Sequence, residues 1–582
     1  MRLNFDDVLR HLGEFGRYQK WVYFLLCLPG LSFGSRMMIS MFLLNVPEHR
    51  CAIPGHYNDT YNVQSINHAY LINATIPYVK RDGKLQLDRC HIYRDIDNIT
   101  TVGANRTVVG CKKWVYDKSV FEYTASMEFS FVCDDAILAT HSKMIFMGGC
   151  FFGAFASGAL GDKIGRKKAL YLCILLLTAG GIILNWSSNF VMFITLRFIN
   201  GASATGMYTT CFVIGMEIVG PSKRVWTGTI LGVFFALGMT MLSAVAFFIR
   251  DWHTLELVIA VPVAIFLIYW WVIPESPRWL MNEFRYQEAE VIIRRAADVN
   301  KVKLPENLFE QQEKTEAETH DDNKPKGSFL HLFTTPVMCT RTLIIFFNWM
   351  VVSMVYYGLS LNSDNLGAGS LHLNFLLVGL VELPACGLVV MLLNKVGRKV
   401  MHCASMLVGG VSCILTIFTI MYADQSLQWV TVLLAMIGKL GAAAGFAIIY
   451  TFSSELFPTV IRHSAIGASS SLARIGGMIA PYIADWGKFV GGDFGRALPL
   501  LMFGGLAVLA GLLSLLLPET LDRDLPETIE DGIKFGRKPI HHRALDDEEK
   551  QQGLSLLAIP DTTDLDENHP PQNRQPLAPV NA

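Results

Sequence analysis

The chain alternates apolar runs of about 20 residues with short polar or charged segments, and the runs recur from Trp21 to Leu517. Only helices or closed barrels satisfy their backbone groups in hydrocarbon, and runs of this length are helical. The pattern predicts an all-α integral membrane protein of twelve transmembrane helices. Helix 1 falls near 21–45, helices 2 to 6 lie within 139–273, and helices 7 to 12 lie within 341–517. Four polar stretches remain, at 1–20, 46–138, 274–340 and 518–582. In the third, the run Gln311 to Lys326 is rich in Glu, Asp and Lys and reads as a solvated linker. The Pro-rich end of the last stretch reads as disordered. Residues 1–20 carry charges throughout and no apolar signal core, so helix 1 also serves as the targeting signal and no cleaved peptide is expected.

A composition of 52% hydrophobic and 17% charged residues agrees with this class. The net charge of -1 says nothing about partners, but the distribution of Lys and Arg sets orientation. With both termini in the cytoplasm, the short inner loops hold Lys163, Arg166, Lys167, Lys168, Lys223, Arg224, Lys395, Arg398, Lys399 and Arg462. The short outer loops then hold only Arg250, Lys488 and Arg496. The segment 46–138 faces out in this arrangement. It carries Cys51, Cys90, Cys111 and Cys133, which in an oxidising exterior predict two disulfides with three connectivities open. It also carries N-x-T glycosylation sequons at Asn58, Asn73, Asn98 and Asn105. The remaining cysteines sit in or near helices and read as packing residues.

The two sets of six helices resemble one another. After helix 2 stand Asp162, Gly165 and Arg166, and after helix 8 stand Gly397 and Arg398. Glu217 and Arg224 follow helix 4 at the spacing with which Glu455 and Arg462 follow helix 10. Pro274-Glu275 follows helix 6 as Pro518-Glu519 follows helix 12. Three coincidences in the same order indicate a duplication, hence two pseudo-symmetric six-helix bundles. Asp162, Arg166, Glu217, Arg224, Arg398, Glu455 and Arg462 are the gating candidates. Exposed ion pairs worth roughly 0–1 kcal/mol each can hold inner helix ends together and release them. Alternatively these charges only anchor loops on the cytoplasmic side.

These turns resemble the signature of the major facilitator superfamily, and finer details are similar to the solute carrier 22 family of organic ion transporters. The details are Phe15-Gly-Arg-Tyr-Gln19, the large Cys-bearing outer segment, Pro274-Glu-Ser-Pro-Arg-Trp-Leu280, Glu455-Leu-Phe-Pro-Thr-Val-Ile-Arg462 and Leu517-Pro-Glu-Thr520. Sugar porters share some inner motifs but lack an outer segment of this size. The resemblance implies two bundles rocking about a central cavity, with no ATP site. The chain has no G-x-x-x-x-G-K-[ST] loop and no H-E-x-x-H, so neither an enzyme, a cofactor nor a metal is expected. The expected partners are a small organic substrate and the lipid bilayer, with a coupling ion left open and no nucleic acid.

Ionisable residues inside apolar spans cost several kcal/mol on insertion scales, so each calls for a role. Arg36, Arg197, Glu382, Lys439 and Arg474 stand out. Arg197 is assigned a structural role, and Glu382 with Lys439 can form a pair across the second bundle. Arg36 either snorkels outward or adds positive charge to the cavity. Arg474 lies mid-helix 11 beside Gly476 and Gly477. The resemblance implies an acid at this position in cation members and Arg in anion and carnitine members. A guanidinium can bind a carboxylate through two parallel bonds, or it can pair structurally with Glu382. Tyr208, Phe235, Tyr356 and Tyr357 match cavity positions of the family, and aromatic faces attract ammonium groups. With 11 Trp, 18 Tyr and 36 Phe in the chain, packing is an equal alternative for each. The pairs Gly149/Gly153, Gly228/Gly232 and Gly441/Gly445 read as helix packing.

The resulting expectation is a plasma-membrane carrier for small organic ions, with zwitterions such as carnitine or a β-amino acid leading. An organic cation transporter, an organic anion exchanger and a non-transporting sensor are the alternatives.

Overall fold

The computed structural model describes residues 5–81, 84–94, 106–220, 223–304, 329–363, 370–422, 424–523, 525–526 and 528–536. The first half comprises α1 (Arg17–Met38, continued by Ser40–Leu43), α2 (Ile137–Ile164), α3 (Arg166–Leu184), α4 (Phe190–Ile218), α5 (Arg224–Phe248) and α6 (Trp252–Ala260, continued by Val261–Ile268 and Tyr269–Val272). The second half comprises α7 (Pro336–Leu361), α8 (Leu371–Val396), α9 (Arg398–Tyr422), α10 (Gln428–Leu456), α11 (Thr459–Val490) and α12 (Gly492–Ser514). Eleven of these are long and apolar enough to cross a bilayer. The exception is α11, whose 32 residues include Arg462, His463, Arg474, Asp485 and Lys488. Large apolar side chains including Phe152, Phe155, Phe248, Ile265, Trp271, Phe418 and Leu516 point outward from the bundle. Such a surface suits hydrocarbon, not water.

Several helix starts are set locally. Asn189, Asp251, Thr335 and Ser370 each accept a backbone N–H of the first turn of α4, α6, α7 and α8. The internal repeat appears as duplicated capping. Gly165 ends α2 at φ +101° and Gly397 ends α8 at φ +99°, a turn that a side chain would strain. Glu275 then accepts the Lys167 amide (3.1 Å), while Glu519 accepts the Arg398 (2.8 Å) and Lys399 (3.1 Å) amides. A carboxylate thus sits at the positive end of α3 and of α9.

Small residues bring helices close. A Cβ on Gly149 or Gly153 would run into the α4 backbone at Phe198 and Ala202, and one on Gly441 would meet Ser405 and Gly409 of α9. Gly228 and Gly232 differ from expectation: a Cβ would have nothing nearer than 3.9 Å at Gly228 and nothing within 4 Å at Gly232, so this pair forms no close helix crossing. The two halves meet along α2 with α11 and along α5 with α8.

The segment between α1 and α2 folds into a small domain. Strands β1 (His49–Cys51), β2 (Tyr78–Arg81), β3 (Lys84–Leu87), β4 (His91–Tyr93), β5 (Val108–Gly110) and β6 (Trp114–Tyr116) pair antiparallel as β1 with β6, β2 with β3, and β4 with β5. Its apolar core is small, built on Cys51, Ile53, Ile72, Ile76 and Cys111. Crosslinks Cys51–Cys111 and Cys90–Cys133 supply what so small a core cannot. Asp59 accepts two bonds from Arg50 (2.5 and 3.1 Å), the Ile53 amide (2.8 Å) and His68 (2.9 Å). Asn58 and Asn73 lie in this domain, whereas Asn98 and Asn105 fall outside the described residues.

At the opposite end, the helix Phe5–His11 leads a segment whose Val8, Leu9 and Leu12 pack on Tyr286, Ile293 and Ala297 of the linker helix Tyr286–Asn300. The Asn300 amide ties this contact to Leu12 and Gln19. The acidic run Gln311 to Lys326 and the Pro-rich tail lie outside the described residues.

Candidate functional site

Charged side chains inside the spans sort into partnered and unpartnered groups. On α1, Arg36 is buried and pairs with Glu256 of α6. Its guanidinium lies against Gly181 of α3, where a Cβ would collide with it. It therefore does not snorkel outward. Arg197 of α4 is also buried; it donates to Ser40 and lies over the rings of Phe146 (5.0 Å) and Phe193 (5.9 Å).

Glu382 of α8 and Lys439 of α10 meet at 2.9 Å, and both are buried. Lys439 also donates to Ser360 (2.8 Å), and its ammonium stands 3.2 Å from the centre of the Tyr356 ring. The Tyr356 hydroxyl donates to Glu382. This carboxylate thus has an internal cation and an internal donor. Arg474 therefore does not have Glu382 as its partner.

Arg474 has no carboxylate in an ion pair with it among the described residues, and its Nε atom is buried without a hydrogen-bond partner. Its guanidinium adjoins Tyr357 of α7 and is within electrostatic reach of Tyr450 of α10 and, from the other half, Cys150 of α2. Tyr208 of α4 is within electrostatic reach of the same guanidinium and of Tyr357 and Tyr450, so side chains of both halves lie near one centre. Phe33 stacks on Tyr208 with 4.3 Å between ring centres, and Phe235 lies 5.5 Å from Phe33. On the other side Tyr356 adjoins Tyr357 (5.2 Å) and Phe446 (5.3 Å), and Trp349 meets Tyr450 edge-on (4.3 Å). The result is one aromatic cluster in each half, with a guanidinium in electrostatic reach of both that has no carboxylate in an ion pair among the described residues. It can hold a carboxylate by paired hydrogen bonds and an ammonium by π-faces.

The charged turns form two separate networks. Arg166 contacts Asp162 (2.8 Å) and Glu217 (3.6 Å) within the first half. Arg398 contacts Glu455 (2.9 Å) within the second, and Thr520 donates to the same carboxylate (2.6 Å). Arg462 donates to the Phe457 carbonyl (3.2 Å), and Arg224 opens α5. The contacts of Arg166 and those of Arg398 each join turns inside one half.

Sequence reasoning missed Glu256, Tyr450, Lys143 and Asp485. Three of these are ionisable residues within apolar helices, so the criterion that selected Arg36 and Glu382 applies to them equally. Tyr450 carried no signal beyond its aromatic type.

Comparison with known proteins supplies the context. A family model described as "Sugar (and other) transporter" matches residues 100–531. The "Organic cation transporter protein" of Drosophila melanogaster is 38% identical over 560 residues, covering 95% of this chain and 99% of that protein. The human "Organic cation/carnitine transporter 2" is 33% identical over 562 residues, covering 94% and 97%. "Solute carrier family 22 member 21" of Mus musculus is 34% identical over 546 residues, covering 91% and 94%. Among solved structures, the proton:xylose symporter XylE of the major facilitator superfamily aligns with a TM-score of 0.56 at 17% identity, covering 88% of this chain and 98% of that one. At that identity the likeness concerns the fold.

Proposed function

The chain belongs to the solute carrier 22 family of the major facilitator superfamily and is a multi-pass membrane transporter of organic ions, and from that premise we propose that its preferred cargo carries a carboxylate together with an ammonium group. One observation carries this reading: Arg474, beside Tyr357, has no carboxylate in an ion pair with it among the described residues, while Lys439 and Tyr356 satisfy Glu382. The unbalanced charge at the centre is therefore positive. A bare cation meets a guanidinium there, whereas a carboxylate gains a charge-assisted bidentate partner. Tyr208, Tyr357, Tyr450 and Phe235 then offer faces to the ammonium end. Carnitine and β-alanine have this chemistry.

Simple organic cations are the second reading, favoured by the names of relatives such as the Drosophila organic cation transporter protein. We further infer a plasma-membrane location with both termini cytoplasmic and the disulfide-bonded domain outside. The basic turns and the clustered sequons support that orientation.

The test is uptake in transfected cells, normalised to surface protein, of labelled carnitine, β-alanine, tetraethylammonium and succinate. The expected result is uptake of a zwitterion. Arg474→Ala should then weaken its apparent affinity about ten- to hundred-fold, the loss of a hydrogen bond to charge of about 1.5–3 kcal/mol. Arg474→Lys should retain part of it, because the charge stays and the planar fork goes. Unaltered affinity for every carboxylate probe in a well-expressed Arg474→Ala protein would leave the cation reading in front.

A further inference from the structure

We propose that Lys143 of α2 and Asp485 of α11 form a gate between the central site and the end of the bundle that carries the disulfide-bonded domain, and that this pair must part for cargo to pass. The Lys143 ammonium meets the Asp485 carboxylate at 2.8 Å, and both side chains are buried. Thr140, one turn away on α2, donates to the same oxygen at 2.8 Å. His141 and Tyr482 form a second contact between the same two helices at 2.7 Å.

Three features separate this pair from the buried ion pairs Arg36–Glu256 and Glu382–Lys439 of the spans. Arg36–Glu256 lies within the first half and Glu382–Lys439 within the second, whereas Lys143–Asp485 joins one half to the other. A rearrangement that moves the halves as bodies leaves the first two intact and must break the third. Position is the second feature. Asp485 lies eleven residues beyond Arg474 on α11, or about 16 Å along the helix at about 1.5 Å per residue. Lys143 lies between Cys133, which anchors the disulfide-bonded domain, and Cys150, which is within electrostatic reach of Arg474. The pair thus stands over the central site on the route to one surface. The third feature is energetic. The attraction within a buried pair is largely offset by desolvation, so closure is nearly balanced. When the halves part, water entering the gap solvates both charges. A contact of this kind is easily reversed, whereas an apolar seam of equal area would pay the full exposure of its surface.

The test reads access, not transport, so it stands apart from the choice of cargo. A reporter cysteine replaces Tyr357 in the central site of the full-length protein, with Cys150→Ala removing the native thiol there. Intact cells receive a membrane-impermeant biotinylated methanethiosulfonate, and labelling of surface protein is followed in time, less that of the protein without the reporter. Asp485→Asn and Lys143→Met should each speed labelling about ten-fold or more, a change that asks for roughly 1.4 kcal/mol from the broken pair. The exchanged pair, Lys143→Asp with Asp485→Lys, should return the rate toward that of the parent. Equal rates in all four proteins, or an exchanged pair as fast as the single variants, would overturn the proposal.

Discussion

Glu382 and Lys439 make the most direct energetic test of the central site, because each is buried and each is the other's main electrostatic partner. At their 2.9 Å separation and an effective dielectric of about 20, the mutual attraction is about 6 kcal/mol, against desolvation of several kcal/mol per ion. The pair therefore stabilises little in net terms, but removing one partner strands the other. Glu382→Gln leaves the ammonium with the Tyr356 ring and the Ser360 hydroxyl, a cation–π contact worth about 2 kcal/mol when desolvated. Lys439→Met leaves the carboxylate with the Tyr356 hydroxyl as its described donor. We expect losses near the lower end of the 3–5 kcal/mol range for Glu382→Gln and near its upper end for Lys439→Met. The double variant should lie within about 1 kcal/mol of the parent, since no lone charge remains. The assay is the temperature at which detergent-purified protein loses its monodisperse peak, with surface abundance in cells as a second readout. Strictly additive losses in the double variant would refute the reasoning, because they would mean that neither group depends on the other.

Two further predictions concern the ends of the bundle. Burial alone would raise the Asp59 carboxyl, but bonds from Arg50, the Ile53 amide and His68, with the Arg50 charge, outweigh it and hold the group below its ordinary 3.8. A lowered folded pKa stabilises fully above the unfolded value and is lost as pH falls through the folded one. The disulfide-bonded domain of the full-length protein should therefore resist pepsin at pH 4 and lose that resistance as the pH falls further. Asp59→Asn, which costs about 1–3 kcal/mol of charge-assisted bonding, should already be cleaved within that domain at pH 4; equal resistance would contradict the account. At the opposite end, Glu455→Ala removes the acceptor of Arg398 and Thr520, and Asp162→Ala removes a largely exposed partner of Arg166. Transport per surface molecule should fall more in Glu455→Ala than in Asp162→Ala, and normal rates in both would make these charges topological only.

How legible the candidate site was in the sequence differs from residue to residue. Charge within an apolar run marked Arg36, Glu382, Lys439 and Arg474 without any structure, because insertion of a lone charge is costly at any position in a span. The same cost applied to Lys143 and Asp485, yet both lie near helix ends, where a charge can also be solvated and draws less notice. Arg36 illustrates the remaining gap. Its partner Glu256 lies 220 residues away on α6, and only the rotation of both helices about their axes brings the two side chains together.

By itself the sequence determined the membrane class, the spans and the internal duplication, because each follows from local quantities. These are the length of apolar runs, the sign of loop charges, and turn residues such as Gly165 and Gly397 that recur in matching places. Tertiary structure alone decided which of three disulfide connectivities holds, that Lys143 meets Asp485 from 342 residues away, and that Arg474 stands without a carboxylate while Lys439 has one. The reason is physical. A buried charge must find a partner or go without, and which of these happens is set by the crossing and rotation of whole helices, which no local window of residues contains.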